Sequence, residues 1–309
     1  MKNLPGHLLV SLLNAISRLS WKTMYRLSDA IQWIVFDLFK YRKQVIAENL
    51  ERSFPNKSAA ERSQIQRAFH RNLSDIIAET LKLSRMSRQE IGQRFEGDVS
   101  LLENYYRQGR NVVVVLGHLG NWELANLYAS SHFSHHIVVV YHPLANPLFE
   151  KYVKDVRSRF GSELIPMKQA YARPPVPGEK PFLFFLVNDQ SPNPHKAYWT
   201  TFLHQDTGIF RGVEVIARQF NSPVVYAKIE RNEAKRGHYR VALDLITDNP
   251  AEVPQNGILE KQARLLEADI RRQPANWLWS HKRWKHRRPT RLEPSQVFDK
   301  TSHREPQAR

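Results

Sequence analysis

Two side chains suited to proton transfer, His118 and Glu123, lie in the segment 117–123, GHLGNWE. An imidazole has a pKa of about 6.5 and is the usual group for taking a proton from a hydroxyl at neutral pH. A carboxylate at the far ring nitrogen fixes the tautomer and stabilises the imidazolium as it forms. The pair therefore predicts a general base, His118, oriented by Glu123. The alternative is a buried histidine satisfied by a nearby carboxylate.

A predicted strand and a predicted helix flank this pair. The run 112–116, VVVVL, is short, continuous and β-branched, which is typical of a strand buried on both faces. Asn121 is a favourable helix N-cap, and the residues after it favour a helix. His118 is thus predicted just beyond the carboxyl end of a buried strand, with Glu123 in the first turn of the next helix. Open α/β sheets bind their ligands at such strand ends.

Other polar candidates follow later elements. Asp189 and Gln190 come after the apolar run 182–187, where a role in capping the turn competes with a role in the site. Arg157 and Arg159 lie on the helix after the second strand. One of them could stabilise an oxyanion or bind a phosphate, and the alternative is a solvated helix face. Spacing alone leaves both questions open.

Several other chemistries lack their sequence signatures. The chain has no cysteine and no G-x-S-x-G nucleophile elbow, so an acyl-enzyme intermediate is not expected. It has no G-x-G-x-x-G and no P-loop, so nothing favours nucleotide binding. The histidines between 118 and 142 are dense but lack a tight metal-binding pattern, and no metal site is predicted. Direct attack by a hydroxyl that His118 activates is the simpler chemistry.

The charge balance indicates an anionic partner. The 309 residues carry a net charge of +16, so nucleic acid, anionic lipid or an acidic carrier would be attracted. Seven Trp, eleven Tyr and fifteen Phe accompany this charge, which suits a membrane interface at least as well as a nucleic acid. A basic nucleic-acid-binding protein is therefore the rival from another functional class.

The segment 8–39 is rich in apolar and aromatic residues, but charged residues interrupt it. Because it lacks a clean run of about 20 apolar residues, a standard spanning helix is not expected. An amphipathic helix or helix pair lying in the membrane interface fits better, and ordinary core helices are the alternative. The basic cluster 40–43 would sit well on anionic headgroups.

A second aromatic and basic stretch, NWLWSHKRWKHRRP at 276–289, lies near the end of the chain. Its three tryptophans could anchor at a lipid interface, stack on bases, or simply pack in the core. The favoured interpretation is that this stretch and the basic residues after it face lipid or phosphate. Between residues 110 and 230 strands alternate with helices, which predicts an α/β fold: a mixed, mostly parallel central sheet flanked by helices, with a helical N-terminal membrane-associating segment.

Several blocks of the sequence resemble, in order, the bacterial lipid A late acyltransferases of the lysophospholipid acyltransferase superfamily. GHLGNWE resembles the family's H-x4-[DE] signature. The other matching blocks are YRKQVIAENLERSFP at 41–55, FHRNLSDIIAETLKL at 69–83, NPLFEKYVKDVRSRFG at 146–161, VNDQ at 187–190, FLHQDTGIFRGVEVIARQFNSPVVY at 202–226, and 276–289. Together they cover roughly residues 8–290 and are far more specific than one dyad.

The resemblance implies an enzyme on the cytoplasmic face of the bacterial inner membrane. It would transfer a fatty acyl chain from acyl carrier protein to a hydroxyl of a lipid A precursor, with no cofactor, no metal and no covalent intermediate. The partners implied are acyl carrier protein, the lipid acceptor and inner-membrane lipids, with no nucleic acid. An aminolipid or phosphoglycolipid is the alternative acceptor.

The resemblance also implies roles for individual residues. His118 would be the general base, Glu123 its orienting carboxylate, and Arg157 the catalytic arginine, with Arg159 as the alternative. Substrate contacts are expected from Asn121, Trp122, Arg159, Asp189 and Gln190. The domains expected are a membrane-associating segment at 1–40, an acyltransferase domain at 41–292 and a basic, disordered tail at 293–309.

Overall fold

The structure, a computed structural model, describes residues 4–144, 146–170 and 180–290. The predicted tail 293–309 lies outside these residues. The first third of the chain is helical, as its sequence predicts. Its helices are α1 (Leu4–Ile16), α2 (Trp21–Gln32), a π-helical segment (Trp33–Leu38), α3 (Lys43–Ser53), α4 (Ala59–Lys82) and α5 (Arg88–Arg94).

From residue 95 onward, strands alternate with helices. The strands are β1 (Phe95–Gly97), β2 (Val112–Leu116), β3 (His136–Tyr141), β4 (Glu163–Pro166), β5 (Phe182–Val187), β6 (Tyr198–Phe202), β7 (Gln205–Ile209), β8 (Val224–Arg231) and β9 (Tyr239–Thr247). The helices are α6 (Ser100–Arg107), α7 (Trp122–His132), α8 (Pro147–Arg157), α9 (Gly212–Gln219) and α10 (Gly257–Arg272).

Seven strands form one sheet in the order β1-β9-β8-β2-β5-β3-β4. Every neighbouring pair is parallel except β8 and β9, which are antiparallel. All five residues of β2 are buried, because the strand is central and helices cover both faces. The predicted mixed, mostly parallel sheet flanked by helices is therefore confirmed. Strands β6 and β7 form a separate antiparallel hairpin.

The N-terminal helices pack on the rest of the chain through a buried polar cluster. Asp75 on α4 accepts a hydrogen bond of 2.6 Å from Ser28 on α2. The same carboxylate accepts 2.9 Å and 3.0 Å bonds from Nε of Arg236, in the turn between β8 and β9, and it also pairs with Arg231. No helix among the described residues has both the length and the apolar character to cross a bilayer. Membrane association of residues 1–40 stays a prediction.

Candidate active site

The parallel register of β2 and β5 brings His118 and Asp189 together. Leu116 and Val187 are paired at the carboxyl ends of the two strands, and each polar residue lies two positions further on. His118 Nδ1 lies 2.5 Å from Asp189 Oδ1, and the His118 backbone N–H donates to Oδ2 over 2.8 Å. One carboxylate therefore holds both the ring and the backbone of His118.

Asp189 is buried, with a side chain that is only 3% exposed. Burial by itself would raise the pKa of this carboxyl, but the adjacent His118 and hydrogen bonds from His118 and Trp277 outweigh it and lower the pKa to about 2. Trp277 Nε1 donates to Oδ2 over 2.7 Å. Asp189 is thus a fixed negative charge at neutral pH.

The second ring nitrogen of His118 faces Gln190. The Gln190 amide Nε2 lies 3.2 Å from His118 Nε2, and an amide N–H can only donate. Since the ionised Asp189 can only accept, the proton belongs on Nδ1 and the lone pair on Nε2. The Trp122 ring lies edge-on to the imidazole, with 4.8 Å between the ring centroids, and limits its movement.

Two glycines shape the turn that carries His118. A Cβ on Gly117 would lie 2.6 Å from Leu266 Cδ1 and 3.1 Å from Asp189 Oδ2. Gly120 has a φ of 53°, and a Cβ there would lie 2.8 Å from Ile229 Cγ2. Only glycine lets the backbone pass this close to α10 and β8 while it turns from β2 into α7.

Glu123 has a partner other than the predicted one. The sequence predicts this carboxylate at the far nitrogen of His118, but Asp189 holds that position. Glu123 instead pairs with Arg157 through two hydrogen bonds, 2.8 Å from Nε and 2.5 Å from Nη2. Burial alone would lower the pKa of Arg157, but the contact with Glu123 outweighs burial and raises it. The physical reason is that Glu123 lies in the first turn of α7, which packs against α8, whose last residue is Arg157.

Arg159 and Asn121, both predicted to contact substrate, form hydrogen bonds within the protein instead. Arg159 donates over 2.7 Å to Leu83 O and over 2.8 Å to Met86 O, so it ties the end of α4 to its following turn. Asn121 is fully buried. Its side chain caps α7 at the Leu124 N–H and donates over 2.9 Å to the buried Glu79. Of the two arginines, Arg157 is thus the one beside Glu123, and Asn121 positions the turn.

Core packing, the alternative for the tryptophans of 276–289, is confirmed for two of the three, and for these two the interpretation that they face lipid or phosphate is wrong. Trp277 and Trp279 are 3% and 0% exposed and pack edge-to-face, whereas Trp284 is half-buried. Sequence reasoning missed Trp277 as a direct partner of Asp189. The signal available was an indole N–H, which finds an acceptor when it is buried.

The other histidines of the 118–142 segment have separate partners. His136 contacts Glu163, His135 lies beside Arg110 O, and His132 beside Ser131. Across the described ranges, no three His, Asp or Glu side chains are grouped as a metal site requires. That the reaction needs no metal or cofactor stays a prediction.

The chain matches one known protein family over most of its length. The model of the family described as "Bacterial lipid A biosynthesis acyltransferase" matches residues 5–286, almost the whole chain. A comparison with curated proteins finds no match. The matched range contains the strand ends with His118 and Asp189 as well as the Glu123–Arg157 pair. The chain therefore belongs to the bacterial lipid A biosynthesis acyltransferase family, and its activity is acyl transfer in lipopolysaccharide biosynthesis.

Proposed function

We propose that this acyltransferase moves a fatty acyl chain from the thioester of acyl carrier protein to a hydroxyl of a lipid A precursor. The observation that carries the proposal is the contact of His118 Nδ1 with the buried, ionised Asp189, which leaves a lone pair on Nε2. A base of this kind can take the proton of an acceptor hydroxyl directly. No covalent enzyme intermediate is needed.

The reaction has two stages. The acceptor hydroxyl replaces the Gln190 amide at His118 Nε2 and gives up its proton as its oxygen attacks the thioester carbonyl carbon. An ester bond forms as the tetrahedral intermediate collapses. The carbon–sulfur bond breaks, and the leaving thiolate takes the proton back from the imidazolium. Asp189 stabilises the imidazolium between the two stages.

Arg157 supplies a positive charge beside Glu123, in the first turn of α7. Glu123 holds Nε and Nη2 of the guanidinium, and the remaining nitrogen, Nη1, is left to donate to a substrate oxygen. A guanidinium fixed in this way needs little reorganisation when negative charge develops on the thioester oxygen. We propose that Glu123 acts through Arg157.

The proposed location is the cytoplasmic face of the bacterial inner membrane. Acyl carrier protein would deliver the donor chain, the lipid acceptor and inner-membrane lipids would be the other partners, and no nucleic acid would be bound. The net charge of +16 suits an acidic carrier and an anionic membrane surface. No cofactor is proposed.

The direct test is acyl transfer from radiolabelled acyl carrier protein thioesters to a tetra-acylated lipid A precursor. We expect labelled lipid product with the purified, folded protein. No transfer to this acceptor from any donor chain length would favour the second candidate, the same chemistry on an aminolipid or phosphoglycolipid. Salt-sensitive binding to DNA or RNA together with recovery in the soluble fraction would contradict the proposal.

An exposed aromatic patch supports contact with the membrane. The π-helical segment and the residues after it leave Trp33, Leu38 and Phe39 exposed by 60%, 55% and 73%. Lys40 and Lys43 lie exposed beside them. Large apolar side chains next to cations are the combination that inserts into the headgroup region of an anionic bilayer.

Replacing both Trp33 and Phe39 by Ser should weaken binding to anionic phospholipid vesicles by about tenfold or more, because two large apolar side chains no longer leave water. Co-sedimentation of the purified protein with vesicles measures this. Leu245→Ser is the matched control, since Leu245 is 40% exposed on β9 and lies outside the patch. An equal loss of vesicle binding in the double variant and in Leu245→Ser would mean that the patch does not dock on lipid.

A further inference from the structure

Arg283 is a buried cation beside the loop 188–191, which carries Asp189 and Gln190. This residue is only 5% exposed. Nη2 donates over 2.6 Å to Gly208 O, but Nε is buried with no acceptor. Among the described residues, no carboxylate forms an ion pair with it. A buried charge without an ion-pair partner is costly, and an anion bound beside it would lower that cost.

A narrow cleft, open to solvent, lies at this guanidinium. Its walls come from the loop after Gln190, from the β6–β7 hairpin and from the segment after Arg283. They include Ser191, Thr207, Gly208, Trp284 and His286. Asp206 is the one carboxylate of the lining, and Arg288 already holds both of its oxygens, at 3.1 Å from Nε and 2.5 Å from Nη2. Asp206 is therefore not available to neutralise Arg283.

The cleft is connected directly to the proposed general base. Ser191 follows Gln190, and its hydroxyl donates over 2.5 Å to Arg283 O. Its backbone N–H donates over 3.2 Å to His281 Nε2. A group bound at Arg283 would thus be fixed relative to the loop that contacts His118. Burial lowers the pKa of Arg283 to about 10, and Asp189 partly offsets this, so the guanidinium stays charged at neutral pH.

We propose that Arg283 and this cleft form a binding site for a phosphate group of a substrate. The inference rests on the proposed function, because a phosphorylated glycolipid acceptor and the phosphopantetheine arm of acyl carrier protein both carry such a group. Phosphate oxygens match the planar guanidinium, and exposed Lys282, Lys285 and Arg287 nearby attract the same charge. Binding there positions the substrate and takes no part in the bond changes.

The first test needs no activity. Inorganic phosphate should raise the Tm of the wild-type protein above its value in sodium chloride at equal ionic strength, because it binds the folded state. Arg283→Gln should abolish this rise. Arg107→Gln is the matched control and should keep the rise, since Arg107 is an exposed arginine on α6 that lies outside the cleft and leaves the pairing of Asp206 intact. If Arg283→Gln does not fold, Arg283→Lys replaces it, with a smaller rise expected.

The second test identifies the source of the phosphate. KM is compared for phosphorylated and dephosphorylated acceptors, and for donor thioesters of phosphopantetheine and of pantetheine. Arg283→Gln should raise KM about tenfold or more for one phosphorylated substrate and leave its phosphate-free form unchanged. Equal KM changes for both forms, a wild-type protein without the Tm rise, or an equal rise in Arg283→Gln would each overturn the site. If no transfer occurs at all, the proposed function fails and the Tm comparison still decides the role of Arg283.

Discussion

His118→Ala is expected to lower the rate of acyl transfer by about 10²–10⁴-fold, which is the usual effect of removing a general base. The hydroxyl would then have to attack without giving up its proton to the protein. The measurement is kcat with acyl carrier protein thioester and lipid acceptor both saturating. KM should change little, because the imidazole acts on the proton in transfer more than on substrate affinity.

The control for this change is an exposed histidine outside the site. His204 lies exposed in the β6–β7 turn and contacts Arg271. His204→Ala should keep full activity, and both variants should show a wild-type Tm within a few degrees. A His118→Ala protein that is folded and retains wild-type kcat would remove the basis of the proposed mechanism.

The position of His118 could be predicted from sequence, because it depends on local features. A β-branched run, a glycine and an N-cap follow one another within ten residues and define a strand end and a helix start. The structure has β2 and α7 at these positions. Asp189 entered the candidates for the same local reason, as a residue that follows β5.

The pairing of His118 with Asp189 could not be predicted in this way. The two residues are 71 positions apart, and they meet only because β5 pairs with β2 while β3 and β4 lie beyond it. Strand order depends on how helices pack over the whole sheet, and no local pattern reports it. The nearer carboxylate, Glu123, was favoured by its distance along the chain.

The choice between Arg157 and Arg159 shows a similar limit. The sequence predicts both arginines on one helix, where side chains two positions apart point about 200° away from each other. In the structure, however, α8 ends at Arg157, and Arg159 lies in the turn that follows it. Their sequence neighbourhood contains charged residues on both sides and does not indicate the inward face. The structure distinguishes the two arginines by their hydrogen-bond partners. Arg157 pairs with the carboxylate of Glu123, whereas Arg159 donates to two backbone carbonyls.

The second large loss of activity is expected when Asp189 is replaced by Asn. Asp189→Asn keeps the size of the side chain but removes the charge that holds the proton on His118 Nδ1. The amide can present an N–H to Nδ1, which would move the ring proton to Nε2 and remove the lone pair that accepts the substrate proton. We expect kcat to fall by about 10³–10⁴-fold, as in other histidine–carboxylate pairs.

A double variant tests whether the two residues act as a unit. If Asp189 works only through His118, then His118→Ala combined with Asp189→Asn should be no slower than His118→Ala alone. Glu123→Gln should instead behave like Arg157→Gln, because these two share one ion pair. Losses at Asp189 that multiply with those of His118→Ala would show an independent role for the carboxylate.

The charge of Asp189 also has a consequence for stability at low pH. Its pKa is lowered to about 2 in the folded protein, against about 3.9 in an unfolded chain. Its contribution to the free energy of unfolding is therefore complete above the unfolded value and is lost as pH falls through 2. The difference in unfolding free energy between wild type and Asp189→Asn should accordingly be larger at pH 7 than near pH 2. Acid denaturation followed by circular dichroism measures it, and a difference that stays constant down to pH 2 would mean that Asp189 is not held as the ionised partner of His118.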